Sequence, residues 1–204
     1  MTAAFKLTST DFRGVISQRF FRNFLPLPAF SKFRVGQTLP DFDLPMVGQR
    51  ASIKLSSYRQ KSVVVLAFTR IFTEKQYCPF CYPHIMSMVE TYKKFDQLGA
   101  EVLMITSTDM RQSKIVHRDL GLEMPLLVDS SCSIFRQYGT GQALGAPLPA
   151  QFVVDRSGRL TFQHLFSFAH PNASSERLLW AVHNASHQVE VTRLKRRGRD
   201  SNPR

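Results

Sequence analysis

Long apolar runs are missing from this 204-residue chain. No stretch approaches the roughly 18 to 20 consecutive apolar residues that span a bilayer, so a transmembrane protein is not expected. A secretory leader is missing too: the best early apolar stretch, Phe24-Leu25-Pro26-Leu27-Pro28-Ala29-Phe30, is short and broken by prolines. Cysteine is scarce. Of the three present, only Cys78 and Cys81 lie close together, and no second Cys-x-x-Cys or Cys/His pair completes a structural zinc site around them and His84. Haem attachment is excluded as a motif because Tyr82 stands where histidine is required. Internal repeats are also lacking. What remains is a soluble chain whose 43% hydrophobic content suffices for one sizeable core.

Acidic residues are few at the two ends, and this is the source of the net charge of +12. Residues 1–34 hold six Lys/Arg against Asp11 alone, and residues 193–204 hold six against Asp200 alone. The body carries fifteen against thirteen, close to neutral, with no basic stripe interleaved with stacking aromatics; nucleic-acid binding is therefore not expected. The chain divides into a Phe/Arg-rich arm at 1–34, a folded domain at 35–190 and a basic, disordered tail at 191–204 to which no function is assigned. The arm's composition suits either an aromatic packing segment or an organelle transit peptide. Two Asn-x-Ser matches, at Asn172 and Asn184, read as coincidental because glycosylation needs a secretory compartment.

Within the domain, Asp41-Phe42-Asp43-Leu44 and Ala51-Ser52-Ile53-Lys54-Leu55 alternate around Val47-Gly48-Gln49, a leading hairpin. Val63–Phe68 is a continuous, β-branched-rich apolar run, as in a central strand covered on both faces. A helix is predicted from Pro79 to before Gly99, with Ile85, Met88, Val89, Tyr92, Phe95 and Leu98 on its apolar stripe. Strand 101–106 and a helix capped within Ser107-Thr108-Asp109 follow, then strand 126–128 and a helix capped by Ser130-Ser131. The pattern ends in a hairpin, 151–154 with 159–162, and a helix at about 174 to 187. Strands alternating with helices predict an α/β fold with a mixed sheet flanked by helices on both faces.

The feature that carries chemistry is Cys78-Pro79-Phe80-Cys81, two thiols one helical turn apart where the strand gives way to the helix. A cysteine at such a cap sits near unpaired N–H groups and the positive end of the helix dipole, which favour thiolate, the attacking form. Cys78 precedes the helix and is the nucleophile candidate; Cys81, inside the first turn, is the resolving candidate. Arg70 and Lys75 are cations within reach of the motif, and Thr73 is a nearby hydroxyl. His84 reads as an exposed helix histidine and Cys132 as a small buried apolar residue.

These motifs, in this order and spacing over residues 35 to 165, resemble the thioredoxin superfamily, and within it the redoxin or peroxiredoxin-like AhpC/TSA branch. The likeness lies in Val35–Leu44, the strand to Phe68, the cysteine pair, Gly99–Ser107, Met124–Asp129 and Pro149–Arg159. It implies a thioredoxin-like sheet in which Pro149, expected cis, faces the dithiol. Two departures stand out. The Pro and Thr/Ser that peroxiredoxins place before the reactive cysteine are Ile71 and Lys75 here, and their second active-site Arg is replaced by Pro149, the residue thioredoxins use in that slot.

The resemblance implies a thiol-dependent antioxidant oxidoreductase, an enzyme reducing hydroperoxides or protein disulfides through a Cys78–Cys81 dithiol/disulfide cycle. It needs no cofactor or metal beyond that redox-active disulfide. Its partner is a thioredoxin- or glutaredoxin/glutathione-type reductant, and its place is the cytoplasm, or an organelle if the arm is a transit peptide. The contrasting expectation is a redox sensor or binding module of the same fold that reacts once without turnover.

Overall fold

The computed structural model describes residues 15–186; the start of the arm and the basic tail lie outside the described residues. In chain order the elements are α1 (Gln18–Arg22), β1 (Asp43–Pro45), β2 (Ser52–Lys54), a 3-10 turn (Leu55–Tyr58), β3 (Val63–Thr69), β4 (Ile71–Thr73), β5 (Gln76–Tyr77) and α2 (Cys81–Gln97). There follow β6 (Ala100–Thr106), α3 (Met110–Asp119), β7 (Leu126–Val128), α4 (Ser133–Gln137), β8 (Gln142–Ala143), β9 (Ala146–Pro147), β10 (Ala150–Val154) and β11 (Leu160–Leu165). The described residues end in a helix, α5, over 175–186.

Five strands form the main sheet in the order β11-β10-β3-β6-β7. β3 pairs parallel to β6 and antiparallel to β10, and all seven of its residues are buried, as its unbroken apolar run requires. Alternate side chains then serve two cores. Val63 and Val65 point with Val102 and Met104 toward Ile85, Met88 and Phe95 of α2, Val116 of α3 and Leu178 and Val182 of α5. Val64, Leu66 and Phe68 point to the other face, against Phe135 and Tyr138 around α4 and against Leu39, Phe42 and Leu44. Phe68, Phe135, Tyr138 and Phe152 meet there at ring distances of 5.0–5.7 Å, mostly edge-on, and the Tyr138 hydroxyl donates to the Pro40 carbonyl at 2.7 Å. The result is the mixed, two-faced α/β sheet with its leading β1–β2 hairpin that the sequence pattern predicts.

Three elements differ from the sequence reading. The dithiol helix begins at Cys81, not Pro79, because Phe80 is its N-cap and the Cys78 carbonyl accepts the first bonds, from the Cys81 and Tyr82 N–H groups at 3.0 Å each. Residues 71–77 form a small hairpin, β4–β5, ahead of the motif. α4 is capped by Asp129, whose carboxylate accepts from the N–H groups of Ser133, Ile134 and Phe135, while Cys132 occupies the N-cap position at φ 58°. The Ser131 hydroxyl also accepts from the Ser133 N–H at 3.2 Å, as the sequence reading expects, while the carboxylate reaches all three adjacent N–H groups at the helix start.

The described part of the arm packs on the domain. Leu27 and Gln142 exchange backbone hydrogen bonds at 2.8 and 2.9 Å, the Phe30 N–H donates to the Gly139 carbonyl at 3.0 Å, and the Gly145 N–H donates to the Asn23 carbonyl at 3.0 Å. This approach is so close that a side chain is not tolerated beneath it. At Gly141, φ +75°, a Cβ would lie 2.5 Å from the Ala29 nitrogen. Gly141→Ala is expected to destabilise the protein by about 1–3 kcal/mol and to expose the arm to limited proteolysis ahead of global unfolding. Equal cleavage rates in both proteins would contradict this.

Candidate active site

β3 runs out at Thr69 into Arg70, the β4–β5 hairpin follows, and Tyr77 delivers the chain to Cys78 at the head of α2. Both cysteines are buried, Cys78 at 3% exposure and Cys81 at 0%, whereas Pro79 and Phe80 between them are exposed. All three cysteines are free.

The two thiols are sharply distinguished. Cys78 is brought down from the ordinary thiol range to about 6, first by the hydrogen bond it receives from the Cys81 thiol, then by the backbone N–H groups of Phe80 and Cys81 and by the Arg70 charge, all acting against burial. Cys81 is pushed far up, first because its hydrogen bond serves the Cys78 sulfur and then by burial. One sulfur is thus held as thiolate and the other as thiol. A nucleophile and a proton-bearing resolving group stand one turn apart.

Arg70 is 7% exposed and reaches both sulfurs electrostatically. Its guanidinium lies over the Phe72 ring at 4.6 Å and donates to the Ala143 carbonyl, while its Nε is buried with no hydrogen-bond partner. Burial works against its charge, and the two sulfurs favour it. Thr73 stands apart from this arrangement: its hydroxyl accepts from the Lys75 N–H at 3.2 Å, inside the hairpin turn. Pro149 is buried and directly precedes β10, whose Ala150 pairs with Phe68, so it lies at the end of the sheet where β3 gives way to Arg70. The cis bond expected before it is not found; every peptide bond among the described residues is trans. Among those residues no three His, Cys, Asp or Glu come together as a metal site requires.

Three residues that the sequence reading passed over also reach the site. Arg19 of α1 donates to the Ile71 and Phe72 carbonyls and, at 2.8 Å, to the Ser107 hydroxyl, tying the arm to the hairpin beside Arg70. His84 is not an exposed helix histidine: its Nε2 is buried without a partner, and burial lowers it to about 4, so it is neutral near neutral pH. Asn172, read as an incidental Asn-x-Ser match, is bonded to the dithiol loop. Proximity across 50 to 90 residues of chain created these contacts, and no local pattern announces them. Cys132 is buried as expected, within 3.7 Å of the Asn23 amide.

The sequence profile of the AhpC/TSA family matches residues 35–163. The chain belongs to the AhpC/TSA family. Within and around this family it is similar to the chloroplastic peroxiredoxin Q of Populus jackii, 29% identical over 131 residues that make up 63% of this chain and 59% of that one. It is similar also to the thiol-disulfide oxidoreductase ResA of Bacillus anthracis, 25% identical over 134 residues, 65% of this chain and 70% of the other. The reduced 2-Cys peroxiredoxin of Plasmodium vivax superposes with a TM-score of 0.68 at 18% identity, covering 78% of this chain and 84% of that chain, a likeness of fold. The alignment spans about three fifths of the length of the peroxiredoxin Q relative. The chain shares the fold of the Plasmodium vivax peroxiredoxin, and Cys78 stands where the β4–β5 hairpin meets α2.

Proposed function

We propose that the protein is a thiol-dependent oxidoreductase that reduces organic hydroperoxides through Cys78 and Cys81. The observation that carries this reading is the divided dithiol: Cys78 held as thiolate by the Cys81 thiol, two backbone N–H groups and the buried Arg70. The Cys78 thiolate attacks the hydroperoxide; an S–O bond forms, the O–O bond breaks, and the alkoxide leaves as the alcohol after taking a proton from water. Cys81 then displaces hydroxide from the Cys78 sulfenic acid, its proton completing a molecule of water, and the Cys78–Cys81 disulfide forms. A dithiol reductant of the thioredoxin or glutaredoxin/glutathione type restores both thiols. That disulfide is the redox group, with no separate cofactor, and a reducing compartment such as the cytoplasm suits the cycle.

A groove of about 510 Å³ supports an organic rather than a purely inorganic peroxide. It is lined by Arg70 and Phe80 on the dithiol side and by Leu27, Leu144, Leu148 and Phe168 beyond, with Arg70 its one charged residue. Its size lies within the range of about 300–1,000 Å³ usual for small-molecule sites. Pro26, Leu27, Pro28 and Ala29, from the described part of the arm, wall the groove in this reading.

The test is consumption of cumene hydroperoxide and of hydrogen peroxide by the reduced protein with dithiothreitol present. Turnover of the organic peroxide is expected, faster than hydrogen peroxide by about tenfold or more, since each buried methylene-sized group is worth about 0.8 kcal/mol. The second reading is exchange with protein disulfides, favoured by Pro149 at the dithiol end of β10. Reduction of a protein disulfide with no peroxide consumption above background would establish it instead. A single stoichiometric oxidation without recycling by dithiothreitol would identify a sensor.

A further inference from the structure

The Asn172 side chain joins three segments distant in sequence. Its Nδ2 donates to the Phe80 carbonyl at 2.9 Å, and its Oδ1 accepts from Gln151 Nε2 at 2.9 Å. Gln151 in turn accepts from the Ala173 N–H through Oε1, also at 2.9 Å. Gln151 is wholly buried on β10, paired across from Ala67 of the central strand. A buried amide is costly unless its polar atoms are engaged, and here both ends of the Gln151 amide are spent on the 172–173 segment. The rigid centre of the sheet therefore fixes where Asn172 stands.

What Asn172 grips is one half of a peptide group. The Phe80 carbonyl and the Cys81 N–H belong to the same planar unit, so fixing the oxygen fixes the direction of the hydrogen. That N–H points back at residue 78: it donates to the Cys78 carbonyl at 3.0 Å and is one of the donors that reach the Cys78 sulfur. Donation to the carbonyl also polarises the peptide and strengthens its N–H as a donor.

We propose that Asn172, anchored by Gln151, is a positioning residue that holds the Phe80–Cys81 peptide in place as a hydrogen-bond donor to Cys78. It touches no substrate and acts through that peptide. This rests on Cys78 being the activated nucleophile. The titratable groups around the loop are Cys81 and Arg70 beside the sulfur, His84 bonded to the Ala173 carbonyl, and His164 bonded to the His170 carbonyl at 2.9 Å. The Asn172 side chain bonds to Gln151 and to the Phe80 carbonyl, and to none of these groups. A glycan on Asn172 would take the Nδ2 that holds the Phe80 carbonyl and break the relay.

The test is the pH midpoint of thiolate ultraviolet absorbance in reduced wild type, Asn172→Ala and Gln151→Leu, with a Val182→Ala control that weakens the core at α5. The midpoint is expected to rise by about 0.5 or more in Asn172→Ala and in Gln151→Leu, with no further rise in the double variant, because both remove the same hold. The control should melt earlier without moving its midpoint. A wild-type midpoint near 6 that stays put in Asn172→Ala overturns this proposal alone. A wild-type midpoint near 9 overturns the activated-nucleophile reading and this proposal with it.

Discussion

Cys78→Ser is expected to lower peroxide turnover at least about a thousandfold, because a hydroxyl near its ordinary pKa is not ionised and the buried loop offers no base to activate it. His84 is the nearest histidine on α2, but burial lowers it to about 4, which leaves it too weak a base to ionise a hydroxyl. Cys81→Ser should behave differently. With no added thiol, which would itself condense with the sulfenic acid, the first turnover proceeds, more slowly, and then stops, leaving a sulfenic acid on Cys78 that a carbon nucleophile traps and peptide mass spectrometry locates. Loss of turnover in both variants with the adduct only in Cys81→Ser fixes the order of events. Retained turnover in Cys78→Ser would transfer the nucleophile to another thiol; Cys132 is poorly placed for that, since burial and the Asp129 carboxylate both push its pKa up.

Much of this frame is legible in the sequence because it is local. β3, β6 and β7 are apolar runs whose burial on two faces needs no knowledge of partners, and the Asp109 cap of α3 follows from a residue type and a spacing. The dithiol is legible for the same reason: the chemistry depends on two residues one turn apart at a strand–helix junction. What sequence reasoning missed is long-range or competitive. Arg19 reaches carbonyls more than 50 residues away, and Asn172 reaches one 92 residues away. The β8–β9 hairpin is two residues a side, with its Leu144-Gly145 turn under the arm, and carries no periodic signal. The start of α4 is shared between the expected Ser131 hydroxyl and the Asp129 carboxylate, and the pattern alone does not reveal the second. Pro149 shows the limit of resemblance: the cis peptide bond that the likeness implies is not found before it.

The second large effect is on the acidity of Cys78. Iodoacetamide alkylation of Cys78, followed by peptide mass spectrometry, should rise through a midpoint at about 6 and level off before neutral pH is passed. An unperturbed thiol would keep rising to its usual value near 8.5. The Cys81 hydrogen bond is the leading cause of the shift and the Arg70 charge the last of those that favour the thiolate, so the two substitutions are ranked in advance. Cys81→Ala should raise the midpoint by about 2 units, and Arg70→Met, which keeps the buried stem, by about half as much or less. The midpoint is the readout, and the rate at a single pH is not. A more basic thiolate is intrinsically more nucleophilic, with a Brønsted slope of about 0.4–0.5, so at neutral pH much of the lost thiolate fraction is offset by reactivity. Above both midpoints the offset is gone, and Cys81→Ala should then alkylate faster than wild type. Crossing rate profiles would show that the protein gives up intrinsic nucleophilicity to keep Cys78 ionised. A larger midpoint shift in Arg70→Met than in Cys81→Ala would reverse the ranking and make the guanidinium the main source of activation.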